Sequence, residues 1–258
     1  MTHPVNIADP DFQIEGWLNL PDDEVQLWRV DLEALRGGES RWKLLLSPDE
    51  LRRASRFHSA RDRQHFIAAR AILRTILAAY LESEPASLCF SYSKREKPSL
   101  GPPHNESGIS FNISHSGGVA LLAFSRRREI GVDVEQIRHD FDLKAIAQRF
   151  FSAHEQDQLA ALPTGGAVEN FFRCWTRKEA YIKATGDGLS LPLSQFDVSL
   201  NPSETNALLA TRPDGKEAAL WSVREVPAGD GYVAALCVRG RDWKLNEWSA
   251  HSRERATS

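Results

Sequence analysis

Two acidic residues one position apart are the first candidates for chemistry in this sequence. Asp133 and Glu135 lie in the segment 129–137, in which apolar residues alternate with them. Alternation with a period of two predicts a β-strand, so both carboxylates project from the same face, roughly 6–7 Å apart. Such carboxylates repel each other, and their hard oxygens favour Mg²⁺ as the cation between them. The alternative is a solvated strand face with two unrelated acids.

A carboxylate and an ammonium group four residues apart, Glu179 and Lys183, form the second candidate pair. They lie in the run 171–184, in which large apolar side chains recur with helical spacing. This spacing predicts an amphipathic helix with the pair one turn apart, beside its buried edge. Glu–Lys pairs at this spacing occur on many helices and contribute only ~0.3–0.5 kcal/mol, so a surface ion pair is the alternative.

A hydroxyl-rich turn is the third candidate. Alternating apolar residues in 109–113 predict a strand, followed by the turn Ser-His-Ser-Gly-Gly at 114–118 and then by a second apolar strand. The two glycines expose backbone N–H groups and let a ligand approach, so His115 is a candidate contact to a phosphate. A local hydrogen-bonding role for His115 is the alternative. No acidic residue stands nearby in a triad-like pattern, which argues against serine hydrolase chemistry.

In residue type, order and spacing, the three motifs together resemble those of the surfactin-type 4′-phosphopantetheinyl transferase family. The matching segments are Asn112–Ser116, Gly131–Glu135 and Trp175–Ala180 with Lys183. The resemblance extends from about residue 47 to about residue 193, with a weaker match to residue 238. It implies that the chain transfers the 4′-phosphopantetheine arm of coenzyme A to a serine of an apo acyl or peptidyl carrier protein. Mg²⁺ is the implied cofactor, and 3′,5′-ADP is the implied second product.

The resemblance also implies a role for each matching residue. Asp133, Glu135 and Glu179 match the positions that hold Mg²⁺. The residues that match coenzyme A ligands are Arg53, Arg70, Lys97, Ser114, His115 and Lys183. Glu179 is the candidate base for the serine proton, and a water oriented by Glu135 is the other option. Lys183 is the candidate for neutralising charge on the leaving phosphate.

One departure from the family pattern lies beside a predicted phosphate ligand. Lys97 matches the lysine of the family's Gly-Lys-Pro motif, but Glu96 replaces the glycine. The replacement removes the residue type that best suits a tight turn, and it adds a negative charge near a phosphate. The turn geometry and the local charge of this motif are therefore both in question.

The elements that must position these residues repeat along the chain. Ser47–Glu50 and Ser152–Glu155 are capping boxes, and each begins a short helix that precedes a longer one, at 63–81 and at 168–185. The strands that follow are 88–91, 109–113 and 119–125 in the first half, and 196–200, 219–225 and 232–238 in the second. We predict an α+β fold of two similar sandwich-like halves, each a long helix on a small antiparallel sheet. The resemblance implies a pseudo-twofold relation between the halves and an active site at their interface.

The predicted boundaries divide the chain into three parts. Residues 1–129 form the half on the side of the coenzyme A 3′-phosphate, and residues 130–240 form the half with the metal-binding acids and the catalytic helix. Residues 241–258 form a polar tail. The tryptophans in and just beyond the first 40 residues indicate an added strand or a cover over the first half; they are Trp17, Trp28 and Trp42.

Composition is that of an ordinary globular protein, with 258 residues, 41% hydrophobic and 26% charged. Three widely spaced cysteines favour reduced thiols over disulfides or zinc. No apolar window has the length of a membrane span, and the first residues lack the pattern of a signal peptide, so we expect a cytoplasmic protein without a membrane partner. By resemblance, the two-half length implies a monomer that accepts a broad range of carriers.

The net charge of −3 gives no global attraction for polyanions, although arginines concentrate at 52–74 and 126–128. No nucleic-acid motif accompanies them, so we expect no nucleic-acid partner. The arginines at 126–128, or part of those at 52–63, are candidates for steering an acidic carrier. Two other functions stay open: a Mg²⁺-dependent phosphate enzyme such as a coenzyme A pyrophosphatase, and a non-catalytic basic adaptor for nucleic acid. The sequence does not distinguish fatty acid, polyketide, nonribosomal peptide and aminoadipate reductase carriers, or Mg²⁺ from Mn²⁺.

Overall fold

The computed structural model describes residues 3–6, 18–35, 38–163 and 166–251. Its helices are α1 Glu39–Trp42, α2 Pro48–Ala54, α3 Ala60–Leu81, α4 Leu143–Phe150, α5 Ala153–Ala160 and α6 Ala167–Thr185. Its strands are β1 His3–Asn6, β2 Glu24–Asp31, β3 Phe90–Tyr92, β4 Pro98–Leu100, β5 Ile109–Ser116, β6 Val119–Arg126, β7 Ile130–Gln136, β8 Phe196–Val198, β9 Leu208–Thr211, β10 Trp221–Glu225, β11 Tyr232–Arg239 and β12 Lys244–His251. Helices on small, largely antiparallel sheets confirm the predicted α+β class.

Two sheets form the centre of the molecule. The larger has the strand order β1-β12-β2-β6-β5, and the smaller has the order β10-β11-β7. The pairs β3–β4 and β8–β9 are separate two-stranded sheets. β12 runs parallel to both of its neighbours, whereas the other pairs of the two main sheets are antiparallel.

The two main sheets pack face to face, and a long helix covers the outer face of each. Along β6, Leu121 and Ala123 belong to the core between the sheets, whereas Leu122 and Phe124 belong to the core beneath α3. This alternation is that of a strand buried on both faces. α6 covers the smaller sheet in the same way, with a core that includes Cys237 of β11. The layers therefore follow the order helix, sheet, sheet, helix.

Both predicted capping boxes are present. The Ser47 N–H donates to Glu50 Oε2 at 3.0 Å, and the Ser152 N–H donates to Glu155 Oε2 at 2.9 Å. Each glutamate is buried and also pairs with the long helix of its half. The partners are Arg70 and Arg74 of α3 for Glu50, and Lys178 of α6 for Glu155. The capping residue thus fixes each short helix to the long helix that follows it.

Ser152→Ala should lower the free energy of unfolding by about 1 kcal/mol, because the Glu155 N–H loses the hydroxyl that accepts its bond. Urea unfolding followed by circular dichroism measures the loss. Ser203→Ala, at an exposed serine between β8 and β9, is the control and should leave the unfolding midpoint unchanged. Equal midpoints for the two variants would contradict a stabilising role for the cap.

The C-terminal segment differs from its prediction. The sequence predicts residues 241–258 as a polar tail, but Lys244–His251 form β12 between β1 and β2. Trp248 of β12 stacks on Trp28 of β2, with ring centroids 4.8 Å apart. Trp28 therefore lies in an added strand of the first half's sheet, one of the two predicted alternatives. Trp17 lies outside the described residues.

The cysteines and two of the strands can also be compared with their predictions. All three cysteines are free thiols, as predicted. Two predicted strands are shorter than expected, since residues 199–200 lie beyond β8 and residues 219–220 belong to a 3₁₀ turn before β10. No helix in the described ranges combines the length and apolarity required to cross a bilayer. The pseudo-twofold relation and the boundary at residues 129 and 130 stay predictions.

Candidate functional site

Strand β7, which carries both predicted acids, is joined to β5 by side chains. Alternate residues of β5 accept hydrogen bonds from the backbone N–H groups of β7. The bonds are Val132 N–H to Asn112 Oδ1 at 2.9 Å, Val134 N–H to Ser114 Oγ at 3.4 Å and Gln136 N–H to Ser116 Oγ at 3.2 Å. These side chains act as a neighbouring strand would and connect the two sheets. Asn112 and Ser116 are not among the predicted site residues, although the alternation of polar residues at 112, 114 and 116 is a usable signal in the sequence.

The hydroxyl groups of β5 also bind the acids themselves. Ser114 Oγ donates to Asp133 Oδ1 at 2.9 Å, and Ser116 Oγ donates to Glu135 Oε2 at 2.7 Å. Lys183 Nζ donates to the same Asp133 oxygen at 2.6 Å and to Ser114 Oγ at 3.1 Å. Three predicted site residues, from two strands and one helix, therefore meet at a single carboxylate oxygen.

Gly131 sets the distance between β7 and α6. A Cβ atom at this position would lie 2.2 Å from the Ala180 carbonyl oxygen and 2.4 Å from the Ala184 nitrogen, both in the α6 backbone. Helix backbone atoms do not move aside individually, so this contact requires glycine. The close approach places Glu179 and Lys183 against the acidic strand, which explains the glycine before the acidic motif.

The Glu179 carboxylate is half-buried near the acids of β7. Its pKa is raised to about 7, first by burial and then by repulsion from Asp133, while Lys183 opposes the shift. Burial and Asp133 also raise the pKa of Glu135. Within the described residues, Lys183 forms its ion pair with Asp133 and none with Glu179. The alternative of an intrahelical surface pair therefore does not describe this helix.

The acids suit a cation in donor type and in charge. Among the described residues, Asp133 Oδ2 is buried without a hydrogen-bond partner. Burial, and after it repulsion from the same aspartate, raise the pKa values of Glu135 and Glu179. Carboxylate oxygens are the ligands that Mg²⁺ prefers. Among the described residues, no three or more His, Cys, Asp or Glu side chains are already arranged to hold a metal ion. Asp133, Glu135 and Glu179 therefore stay predicted ligands.

A cavity of about 420 Å³ opens beside these groups, a volume typical of small-molecule sites. The predicted site residues that line it are Arg53, Arg70, Lys97, His115, Glu179 and Lys183. Ser114 and Asp133 adjoin the cavity through their bonds to Lys183. Residues from both sides of the predicted boundary form its wall.

The two arginines predicted as ligands, Arg53 and Arg70, line the cavity in different environments. Arg53, on α2, is exposed and lies over the Phe66 ring, 5.7 Å from its centroid. Arg70, on α3, is buried, donates from Nε to Glu50 at 2.7 Å and lies 4.7 Å from the centroid of the Phe90 ring. Arg70 is therefore fixed by protein contacts, and Arg53 is the more available of the two to an anionic ligand.

The segment Ser93–Lys97, called here the bridging loop, connects β3 to β4 and forms one wall of the cavity. Lys97 Nζ donates to the Ile130 carbonyl at 3.2 Å and to the Ala184 carbonyl at 2.9 Å. Burial lowers the pKa of Lys97. The lysine thus ties this hairpin to the start of β7 and the last turn of α6. Lys97 is a predicted ligand of coenzyme A, and its contacts to these two backbone carbonyls are not part of that prediction.

His115 lies on the cavity wall at the end of β5. Desolvation lowers its pKa, and the positive charge of Lys183 adds to the effect. The imidazole is therefore neutral over more of the physiological pH range. A neutral ring still donates one N–H bond, which is the contact that the predicted phosphate role requires.

Comparisons with known proteins identify the family of this chain. Residues 38–127 match the N-terminal region of 4′-phosphopantetheinyl transferases, and residues 129–237 match the 4′-phosphopantetheinyl transferase superfamily. The 4′-phosphopantetheinyl transferase HetI of Nostoc sp. is 43% identical over 231 residues, which cover 90% of this chain and 94% of that protein. The 4′-phosphopantetheinyl transferase Sfp of Bacillus subtilis is 30% identical over 206 residues, which cover 79% and 86%. The resemblance carried by the three motifs is confirmed, and this chain belongs to the Sfp-type 4′-phosphopantetheinyl transferase family.

Proposed function

We propose that this chain transfers the 4′-phosphopantetheine arm of coenzyme A to a serine of an apo acyl or peptidyl carrier protein, with Mg²⁺ as cofactor and release of 3′,5′-ADP. The observation that carries the proposal is the meeting of Ser114, Asp133 and Lys183 beside a cavity that Glu179 also lines. The family supplies the reaction class. The cluster supplies a carboxylate for a proton or a cation, and an ammonium group for a phosphate.

Coenzyme A carries a diphosphate and a 3′-phosphate, and the cavity wall has basic groups for both. We assign Lys183 and Ser114 to the diphosphate, and we assign Arg53 and His115 to the 3′-phosphate. Charge-assisted hydrogen bonds from such groups are the strong contacts of phosphate recognition. The remaining predicted ligands, Arg70 and Lys97, border the same space while they bind protein groups.

The transfer forms a bond between the serine oxygen and the phosphorus that bears pantetheine, and it breaks the bond from that phosphorus to the bridging oxygen. The serine proton passes to the Glu179 carboxylate, the candidate base, or to a water that Glu135 orients. Lys183 stabilises the negative charge that develops on the departing phosphate of 3′,5′-ADP. Mg²⁺ held by Asp133, Glu135 and Glu179 would supply further charge neutralisation at the diphosphate.

For the acceptor, we propose a carrier protein that is acidic around its serine and is steered by exposed arginines near α2. Arg52 and Arg56 are both exposed there. Arg126 donates from Nε to the Leu20 carbonyl at 2.9 Å, so the turn after β6 uses part of its charge internally. Complementary charge raises the rate of encounter more than it raises affinity. We also propose that the enzyme works as a monomer in the cytoplasm, without nucleic acid.

Incubation with coenzyme A, MgCl₂ and a purified apo acyl carrier protein tests the proposal. Intact-mass spectrometry should show one added phosphopantetheine group on the carrier, and none on a carrier whose serine is replaced by alanine. Release of 3′,5′-ADP without any carrier would indicate a coenzyme A pyrophosphatase instead. Salt-sensitive binding of DNA or RNA that survives Glu179→Ala would indicate a nucleic-acid adaptor. A panel of apo carriers then defines the range of partners.

Mg²⁺ should raise the melting temperature of the protein, because a ligand that binds only the folded state stabilises it by ~2.7 kcal/mol at 100 times its Kd. A shift of about 5 °C or more is expected for a chain of this size. Differential scanning calorimetry with and without MgCl₂ measures it. Glu135→Gln should abolish the shift, whereas Glu106→Gln, at an exposed position, should retain it. Equal shifts in both variants would exclude Glu135 as a ligand.

A further inference from the structure

Glu96 occupies a backbone conformation that its side chain does not favour. The Glu96 N–H donates to the Ser93 carbonyl at 3.0 Å, and the Ser93 N–H donates to the Lys97 carbonyl at 3.0 Å. These bonds close a three-residue hairpin loop whose last residue must adopt a left-handed conformation, and Glu96 has φ 61°. Glycine is the residue that suits this position. The turn therefore has the geometry of a glycine-containing loop, and this geometry gives no reason for a glutamate at position 96.

The neighbours of Glu96 hold it at the rim of the cavity. Arg95 donates to Asp187, beyond the end of α6, at 2.9 Å, and Lys97 binds the carbonyl of Ala184. Both contacts tie the bridging loop to the second half of the chain. Glu96 lies between them in sequence but contacts the first half of the chain, with Oε2 3.9 Å from a guanidinium nitrogen of Arg53 on α2. Strained residues that their surroundings hold in place are often functional.

Arg53 is the basic group of the cavity wall with the loosest carboxylate contact. Arg70 is bound to buried Glu50, and Lys183 is bound to Asp133 at 2.6 Å. Arg53 and Glu96 are instead 51% and 80% exposed in their side chains, so their 3.9 Å pair is weak and easily exchanged. An anionic ligand group at Arg53 would have Glu96 as its nearest competitor.

We propose that Glu96 is a specificity-determining residue that competes with the 3′-phosphate of coenzyme A for Arg53. The inference rests on the proposed function, in which Arg53 binds that phosphate. A phosphomonoester carries nearly two negative charges at neutral pH, so the carboxylate of Glu96 repels it. 3′-Dephospho-coenzyme A lacks this phosphate, so the Glu96 carboxylate does not repel it to a comparable extent. Glu96 therefore lowers the affinity for coenzyme A but not for 3′-dephospho-coenzyme A, which reduces the difference between the two affinities.

Isothermal titration calorimetry with coenzyme A and with 3′-dephospho-coenzyme A, both in MgCl₂ and without carrier, tests the proposal. Glu96→Gln removes the charge but keeps the side-chain length and the strained backbone. It should lower the Kd of coenzyme A about two- to fivefold, the range of exposed charge pairs, and leave the Kd of 3′-dephospho-coenzyme A unchanged. The effect should shrink at high salt. Glu106→Gln is the control at an exposed site outside the cavity wall and should alter neither Kd.

Arg53→Gln completes the test. It should raise the Kd of coenzyme A and leave the Kd of 3′-dephospho-coenzyme A unchanged. In the double variant the effect of Glu96→Gln on the Kd of coenzyme A should shrink, because only the direct repulsion between Glu96 and the 3′-phosphate is then relieved. Unchanged or equally changed Kd values for the two nucleotides in Glu96→Gln would overturn the inference. The Kd measurements need no carrier. A wild-type protein that fails to modify carriers would therefore refute the proposed function, whereas the effect of Glu96→Gln on the two Kd values could still be interpreted.

Discussion

Asp133→Asn should lower kcat/KM for carrier modification by about 10²–10³-fold, equivalent to ~2.7–4 kcal/mol of transition-state stabilisation. Asparagine keeps the shape of the side chain but removes the charge that holds the Lys183 ammonium group at 2.6 Å. It also removes one of the predicted magnesium ligands. Initial rates at several coenzyme A concentrations, read from the mass of the carrier, measure the loss.

Asp140→Asn is the matched control for this substitution. Asp140 is exposed in the loop between β7 and α4, so its replacement should leave kcat/KM unchanged. Far-UV circular dichroism and a thermal melt establish that both variants are folded. A folded Asp133→Asn protein with the activity of the wild type would remove this aspartate from the mechanism.

Gly131→Ala should reduce activity by about 10²-fold, because a displacement of about 1 Å at reacting groups has an effect of that size. The added methyl group would overlap the Ala180 carbonyl oxygen, 2.2 Å away, so α6 must move off β7. Lys183 then moves away from Asp133. Overpacking should also lower the free energy of unfolding by roughly 1–3 kcal/mol. Carrier-modification rates and urea unfolding measure the two effects.

Gly215→Ala separates this effect from the general cost of replacing glycine. A Cβ atom at Gly215 would have its nearest neighbour, the Thr211 carbonyl oxygen, at 4.0 Å. We expect unchanged activity and stability for that variant. If Gly131→Ala behaved the same way, the contact between β7 and α6 would not be what positions the catalytic helix.

Features that depend on local periodicity could be predicted from the sequence. The alternation around Asp133 predicted β7, and the helical spacing around Glu179 predicted α6, which the structure confirms over Ala167–Thr185. The two capping boxes could also be recognised from the sequence, because each involves residues only three positions apart. Such signals lie within one element and need no knowledge of its neighbours.

Contacts between distant segments could not be predicted in this way. The two carbonyl partners of Lys97 belong to the backbone of Ile130 and Ala184. Every residue has a backbone carbonyl, so the residue types do not indicate which carbonyl accepts a hydrogen bond. β12 was missed because its residues are mostly polar and its pairing partners lie near the other end of the chain. These features follow from tertiary structure alone.

The position of β12 has a consequence for how the protein is made. β12 lies beside β2 in the larger sheet, yet the ribosome synthesises it after every other strand described here. A nascent chain that ends before Lys244 leaves that edge of β2, with Trp28, without its partner strand. The larger sheet can therefore be completed only after the last strand has been synthesised. Such long-range pairing slows folding and prolongs exposure of apolar surface during translation.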